Sequence, residues 1–369
     1  MSRKPNKVFT PGPTPIPRHI LELGARQPPY NRTQAFSDLT FEILTGIKNI
    51  FQTAGDAVLL TASGTGAMEA AVLGFLKAND RALIVNGGTF GRRWADLCRR
   101  HSIPFEEIRL DHGKALSPEA VERALRDFSC NVLLLNAHET STGMLYDVAR
   151  IGAVALRLGV FFIVDAISSI CADRFLMDEW SVDVAILSSQ KALALPPGLS
   201  FIAFNGRAKK RLSADKPRSL YFDLLDYIEN QKRGQMPYTP AIGLFVMLHQ
   251  RLKDIAAMSL EATISRHEEL AAYFRSKLRE FPFNILPERS SNAMTALLCD
   301  EAFDASRLVA LLEEDHGIFV ASSGGDLRSK VFRVSHMGEQ TLEDIDFLIQ
   351  SLRKVALKYR NVDVREVAI

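Results

Sequence analysis

Short apolar runs recur along the first two thirds of the chain and are separated by stretches with helical spacing. The runs lie at 57–60, 82–85, 105–110, 132–135, 160–164, 182–187 and 199–204, and the helical stretches at 66–76, 92–101, 118–126 and 148–158. This alternation predicts an α/β fold with a mainly parallel seven-stranded sheet and helices on both of its faces. Too few residues separate the last two runs for a crossover helix, so the strand at 199–204 is expected to run antiparallel.

The pattern changes at both ends of this alternating region. Prolines crowd residues 1–18, which predicts an extended arm because proline disrupts a helix interior. From residue 241 the chain becomes strongly helical, and weaker strand–helix units lead to a last helix at 342–359. We therefore expect an N-terminal arm (1–20), a large α/β domain (21–249) and a smaller C-terminal α/β domain (250–369).

Composition narrows the class of protein. The 369 residues are 47% hydrophobic and 24% charged, as is usual for a globular protein. Lys and Arg number 45 against 43 Asp and Glu, so the charge pattern favours neither nucleic acid nor a membrane surface. No apolar stretch reaches the length of a membrane span. The four cysteines are far apart without metal-ligand spacing, which suits a reducing cytoplasm. They are Cys98, Cys130, Cys171 and Cys299.

Two ionisable residues follow buried runs and are candidates for chemistry. Lys191 comes shortly after the run at 182–187, and a lysine that loses hydration there becomes a nucleophilic amine of lowered pKa. Asp165 ends the run at 160–164, and a buried carboxylate needs a cationic or hydrogen-bonding partner. A protonated heterocyclic nitrogen is such a partner. The alternatives are a solvated lysine at a strand end and an aspartate that caps a helix.

Two segments around these residues resemble a known family. Val-Asp-Ala-Ile-Ser-Ser at 164–169 and Ser-Ser-Gln-Lys-Ala-Leu at 188–193 are similar to motifs of the class V aminotransferases, which depend on pyridoxal 5′-phosphate (PLP). Within that family the alanine–glyoxylate and serine–pyruvate enzymes are the most similar group, and the resemblance runs from about residue 9 to about residue 338. It implies fold type I, an imine between PLP and Lys191, proton transfer by the freed amine, and Asp165 beside the ring nitrogen.

The resemblance also assigns residues to the cofactor and the substrate. A Ser-Gly-Thr turn after the first strand would hold the phosphate, since free N–H groups at a helix start attract anions. The expected cofactor-binding residues are Ser63, Gly64, Thr65, Phe90, Thr140, Asp165, Ile167, Gln190, Lys191 and Thr239. The expected substrate-binding residues are Arg333, Gly12 and Thr140. Thr239 would reach the phosphate of a neighbouring subunit, which implies a homodimer with active sites at its interface.

Some of these positions differ from the family pattern. Many relatives have histidine at the position of Thr65 and tryptophan at that of Phe90, and they commonly have tyrosine where Pro237 stands. Tyr238 is the nearest residue that could substitute for that tyrosine. His138, close to Thr140, is expected to be structural.

The resemblance implies ping-pong transfer of an amino group from alanine or serine to glyoxylate or pyruvate. The main alternative is 2-aminoethylphosphonate–pyruvate aminotransferase, where Arg32, Arg92 or Arg93 would bind the phosphonate, although we expect these arginines at the surface. A cysteine desulfurase is disfavoured because Cys299 lies in a predicted strand. A non-catalytic binding protein on the same fold stays open, whereas a missing Gly-x-Gly-x-x-Gly turn weakens dinucleotide binding.

Overall fold

The structure is a computed structural model that describes residues 6–212 and 219–366, so residues 1–5 of the predicted arm and 367–369 of the predicted C-terminal domain lie outside it. The strands are β1 (Lys7–Val8), β2 (Asp56–Leu60), β3 (Ala82–Asn86), β4 (Phe105–Arg109), β5 (Val132–Asn136), β6 (His138–Glu139), β7 (Met144–Leu145), β8 (Phe161–Asp165), β9 (Val184–Ser188), β10 (Ser200–Phe204), β11 (Phe283–Ile285), β12 (Met294–Cys299), β13 (Ile318–Phe319), β14 (Ala321–Ser322) and β15 (Val331–Ser335). The helices are α1 (Arg18–Gly24), α2 (Gln34–Phe51), α3 (Gly64–Phe75), α4 (Thr89–Arg100), α5 (Pro118–Asp127), α6 (Val148–Arg157), α7 (Gly206–Lys209), α8 (Leu224–Gln231), α9 (Ile242–Met258), α10 (Leu260–Ser276), α11 (Ala305–His316) and α12 (Leu342–Glu366).

Seven strands form the large sheet in the order β2-β10-β9-β8-β5-β3-β4. Strand β10 is antiparallel to both of its neighbours, and the other neighbouring pairs are parallel. The prediction of a mainly parallel sheet with one antiparallel strand is confirmed. Every residue of β5, β8, β9 and β10 is buried, and successive side chains point to opposite faces, so both faces of the sheet are covered.

A second sheet follows in the last third of the chain. It has four strands in the order β11-β12-β15-β14, and all of its pairs are antiparallel. A separate apolar cluster packs with this sheet and includes Phe274 of α10, Phe332 of β15 and Leu348 of α12. Helix α9, in contrast, places Phe245 and Leu248 in the cluster of the large sheet. The division of the chain into domains at 249 and 250 stays a prediction.

Residues 6–17, which we call the N-terminal strap, connect the two sheets. Strand β1 pairs in parallel with β13, and the Phe9 N–H donates to the carbonyl of Phe319 over 2.7 Å. Ser335 donates its backbone N–H to the carbonyl of Phe9 at 2.7 Å, and Glu339 donates to that of Pro15 at 3.0 Å. The strap contains no helix before Arg18, in agreement with its prolines. It is thereby fixed to the second sheet while its middle passes over the large one.

None of the helices in the described part of the chain combines the length and the apolar character that crossing a membrane requires.

Candidate active site

Lys191 lies beyond the carboxyl end of β9 and its side chain is buried. Its Nζ donates a hydrogen bond to the carbonyl oxygen of Pro11 in the strap, over 2.5 Å. The pKa of Lys191 is lowered to about 8, chiefly by burial and next by the positive charge of Arg333, and the charge of Arg93 acts in the same direction. The carboxylate of Asp165 opposes this by raising the pKa. Near neutral pH the amine is therefore more often uncharged than an exposed lysine would be.

Gly12 packs directly against the side chain of Lys191. A Cβ atom on Gly12 would lie 2.9 Å from both Nζ and Cδ of the lysine, closer than carbon atoms pack. The φ angle of Gly12 is +139°, a conformation that side-chain-bearing residues rarely adopt. Thr14 adds a second contact, because its hydroxyl donates to the Lys191 carbonyl over 2.8 Å. The strap therefore leaves room for the lysine only because residue 12 is glycine.

Asp165 ends β8, on the strand next to β9, and its carboxylate is buried. Asn136, at the end of the neighbouring strand β5, donates Nδ2–H to one oxygen at 2.9 Å, and the backbone N–H of Ile167 donates to the other at 2.9 Å. Burial raises the pKa of Asp165, the N–H of Ile167 opposes it, and the charge of Glu139 acts with burial, while the charges of Arg93 and Lys191 lower the pKa. The resulting pKa is about 6, so the carboxylate is mostly ionised at neutral pH.

The turn before α3 forms a cradle lined by backbone. Ser63 caps the helix, and its hydroxyl accepts a hydrogen bond from the N–H of Gly66 at 3.4 Å. A Cβ on Gly64 would lie 2.4 Å from Cδ1 of Ile167 and 3.3 Å from Oγ of Ser188. The structure thus brings Gly64 and Ile167 into direct contact, two positions assigned to the cofactor from the sequence.

Two polar atoms at and just after the end of β9 are buried without a hydrogen-bond partner in the described part of the chain. They are Oγ of Ser188 and Oε1 of Gln190. Ser188 is completely buried, so water does not reach its hydroxyl from the surface. Burying such groups without a partner is costly, which makes them candidates for contact with a polar ligand.

Phe90 is half-buried in the first turn of α4, and its contact with a cofactor ring stays a prediction. The guanidinium of Arg93 lies 4.8 Å above the centre of its ring, and Nη1 of Arg93 donates to the hydroxyl of Thr65 over 2.9 Å. Arg93 is half-buried, so its expected place at the surface is wrong: one turn of helix after Phe90, it faces the same side as that residue. Arg32 and Arg92 are exposed, as predicted.

Glu139 holds the start of α4 in place, a role that the sequence reasoning missed. The residue before the helix, Gly88, is its N-cap and has no side chain to accept a hydrogen bond from the first turn. The buried carboxylate of Glu139 instead accepts hydrogen bonds from the N–H groups of Phe90 at 3.3 Å and Gly91 at 2.9 Å. Glu139 lies in β6, shortly after β5, and β5 neighbours β3, the strand before α4. A helix start attracts negative charge, but only this strand order brings the acid to it.

Thr140 and Arg333 connect the end of β5 to the second sheet. Nη1 of Arg333 donates to the carbonyl of Thr140 over 2.9 Å, and Nη2 donates to that of Ser322 over 2.7 Å. Nε of Arg333 is buried and has no partner among the described residues. Burial lowers the pKa of Arg333 from its usual value. The guanidinium therefore keeps donor capacity for a bound anion.

The hydroxyl of Thr140 belongs to a small buried network. It lies 2.7 Å from Oγ of Ser168, which in turn lies 3.0 Å from Nδ1 of His138. Burial lowers the pKa of His138 to about 3, so the ring is uncharged at neutral pH. The network orients Thr140 without adding charge to the site.

Thr239 is exposed, and the residue beside it is held by its own chain. The hydroxyl of Tyr238 donates to the carbonyl of Leu220 over 2.8 Å, and its ring stacks on Tyr221 with centroids 5.4 Å apart. These contacts occupy Tyr238 within the subunit. Whether Thr239 contributes to a neighbouring site stays a prediction.

Comparisons with known proteins agree with this arrangement. A sequence model of the family described as Aminotransferase class-V matches residues 25–348. The chain is 31% identical to the soluble hydrogenase small subunit of Synechococcus sp. (94% of this chain, 92% of that protein). It is 30% identical to L-aspartate–glyoxylate aminotransferase of Paracoccus denitrificans (91% and 87%). The crystal structure of alanine–glyoxylate aminotransferase from Nostoc sp. superposes with a TM-score of 0.92 at 27% identity (96% of each chain).

The matched family residues span both sheets, and the predicted cofactor, fold and reaction class are confirmed together with the family. This chain belongs to the class V aminotransferases and is a PLP-dependent transaminase of fold type I.

Proposed function

We propose that this aminotransferase moves an amino group from alanine or serine to glyoxylate or pyruvate in a ping-pong reaction. The observation that carries the proposal is the arrangement of three groups: the buried amine of Lys191, the buried carboxylate of Asp165 on the neighbouring strand β8, and the half-buried guanidinium of Arg333, which donates to Thr140 just after β5. The charges of Asp165 and Arg333 both shift the pKa of Lys191, and Lys191 shifts that of Asp165. These three groups are an amine, an acid and a guanidinium that can bind a carboxylate. Together they provide what an enzyme needs to bind an amino acid and react at its α-carbon.

The residues around Lys191 fit PLP. The cofactor supplies an electron-accepting ring and a carbonyl carbon that an amine can attack. Unpartnered buried atoms of Ser188 and Gln190 offer polar contacts, and the glycine cradle at Gly64 has no room for a side chain. Phe90 is placed to cover a flat ring. We propose that Ser63, Thr65, Ile167 and Thr140 complete this binding site.

Lys191 is suited to move a proton as well as to form a bond. With a pKa of about 8 it is present in both protonated and neutral forms near that pH, which general acid–base catalysis requires. The carbonyl oxygen of Pro11 accepts a hydrogen bond from Nζ of Lys191 and fixes the orientation of the amine. The strap also covers the lysine, so bulk water is kept from its nitrogen.

A panel of donors tests the substrate class. We expect turnover with alanine or serine and with glyoxylate or pyruvate, and parallel lines in double-reciprocal plots. Aspartate and 2-aminoethylphosphonate serve as comparison donors. Turnover of 2-aminoethylphosphonate or aspartate without turnover of alanine and serine would overturn the proposed donors.

The variant Arg333→Lys refines the panel, because lysine cannot bind a carboxylate with two parallel hydrogen bonds. We expect kcat/KM for alanine to fall about 10–100-fold, the cost of losing one charged hydrogen bond. The single-turnover reaction with 2-aminoethylphosphonate, which has no carboxylate, should change far less. The exposed Arg328→Lys is the matched control and is expected to behave as the unaltered protein.

We further propose a homodimer whose active sites use both chains. The exposed position of Thr239 supports this, as does an open apolar groove just after it. The groove is lined by Leu21, Ala25, Pro196, Ile242, Leu244 and Met247. Sedimentation equilibrium is expected to give the mass of two chains. Thr239→Ala should retain that mass but release PLP faster, whereas the exposed Thr45→Ala should not; a fully active monomer contradicts the proposal.

A reducing cytoplasm is the proposed location. All four cysteines are free and buried, and burial raises the pKa of Cys98 and Cys171 to about 12, which keeps their thiols protonated and unreactive.

A further inference from the structure

Arg93 is a cation without a matching acid. No carboxylate in the described part of the chain lies within ion-pair distance of its guanidinium, whose contacts are the hydroxyl of Thr65 and the ring of Phe90. Two buried acids of the site already accept hydrogen bonds from other groups. Glu139 accepts from the start of α4, and both oxygens of Asp165 accept from Asn136 and Ile167.

The positive charge of Arg93 adds to that of a helix start. Thr65 lies in the first turn of α3, where free N–H groups and the helix dipole already favour an anion. An arginine beside that turn gives two sources of positive potential, with no carboxylate of the described residues within ion-pair distance of the guanidinium. In addition, the completely buried hydroxyl of Ser188 lies 3.3 Å from the position of a Cβ on Gly64 and has no partner among the described residues. A ligand group with a large negative charge would satisfy all of these groups.

We propose that Arg93 supplies the cation that neutralises the phosphate of PLP, and that it makes this site selective for the phosphorylated form of the cofactor. This inference rests on the proposed function in one respect: it assumes that PLP binds at this cradle. A substrate carboxylate is a less suitable partner for Arg93 than the phosphate. Arg333 has a buried Nε without a partner that can bind the carboxylate, whereas Arg93 is hydrogen-bonded to the turn of α3.

The test compares PLP with pyridoxal, which lacks the phosphate. After removal of the cofactor, the enzyme is titrated with each compound, and binding is followed by the visible absorbance. For Arg93→Met we expect PLP affinity to fall about 10–100-fold, as for the loss of a charged hydrogen bond, and pyridoxal affinity to stay within about twofold. The PLP affinity of Arg93→Lys should lie between that of Arg93→Met and that of the unaltered protein. The exposed Arg92→Met is the matched control and should match the unaltered protein.

Inorganic phosphate gives a second measurement that needs no cofactor. It is expected to raise the melting temperature of the cofactor-free protein and of Arg92→Met, but not that of Arg93→Met. The role of Arg93 would be overturned if Arg93→Met lost affinity for PLP and pyridoxal equally, or if its affinity for PLP did not fall. The same holds if PLP affinity is unchanged and only KM for aspartate or 2-aminoethylphosphonate rises. If the unaltered protein binds no PLP, the proposed function itself fails.

Discussion

The Lys191→Ala variant is expected to lose about 10³-fold or more in kcat and the visible absorbance of bound PLP. We propose that this buried amine of lowered pKa attaches the cofactor and moves the proton; no other lysine of the described chain is as deeply buried. Turnover of alanine with glyoxylate and the absorbance spectrum are the measurements. Lys191→Arg, which keeps a charge near Pro11, should be inactive too because a guanidinium is not a useful nucleophile.

The matched control is Lys114→Ala. Lys114 is exposed and pairs with Glu288 over 2.8 Å, and a surface pair of this kind contributes little to the free energy of unfolding. We expect unchanged kcat and spectrum for this variant. An active Lys191→Ala enzyme that retains the absorbance band would refute the assignment of the lysine. Circular dichroism and the melting temperature then show whether a loss of activity comes from unfolding.

The sheet could be predicted because its signals are local. Four of the seven strands are buried at every position, so each appears in the sequence as an uninterrupted apolar run. The residues at the strand ends were predictable for the same reason, since parallel strands place their carboxyl ends at one edge of the sheet. Asp165 and Lys191 could therefore be selected from the runs before them. Their electrostatic interaction needed the strand order, which places β8 beside β9.

The contacts that were missed join segments far apart in sequence. The carbonyl of Pro11 accepts from Lys191, 180 positions later, and a backbone oxygen has no sequence signature of its own. Arg93 was expected at the surface because a charged residue on a helix usually is, and only the position of Thr65 on a neighbouring helix makes it part of the site. Glu139 was not assigned a role from the sequence, because its contact with α4 depends on β3 and β5 being neighbours.

Asp165→Asn is expected to lower kcat about 10²–10³-fold while the protein still folds, the usual effect of removing one electrostatic group from an active site. We propose that the carboxylate favours protonation of the ring nitrogen of PLP, and a neutral amide cannot do this. Folding should survive because Oδ1 of Asn136 has no partner among the described residues: a rotated Asn136 amide can accept from the new amide, while Ile167 still donates. Single-turnover rates and the spectrum of the bound cofactor measure the effect.

Asp183→Asn separates this loss of charge from a general effect of altering a buried acid. Asp183 accepts from the N–H of Phe162 at 2.8 Å, from Asn205 at 3.0 Å and from Arg207 at 3.2 Å. Losing its charge should lower the free energy of unfolding by about 1–3 kcal/mol but leave kcat per folded molecule unchanged. If Asp165→Asn behaves like Asp183→Asn, with lower stability and normal kcat, then Asp165 only organises the ends of β5 and β8. A large fall in kcat at normal stability instead requires that its charge acts on the bound ring.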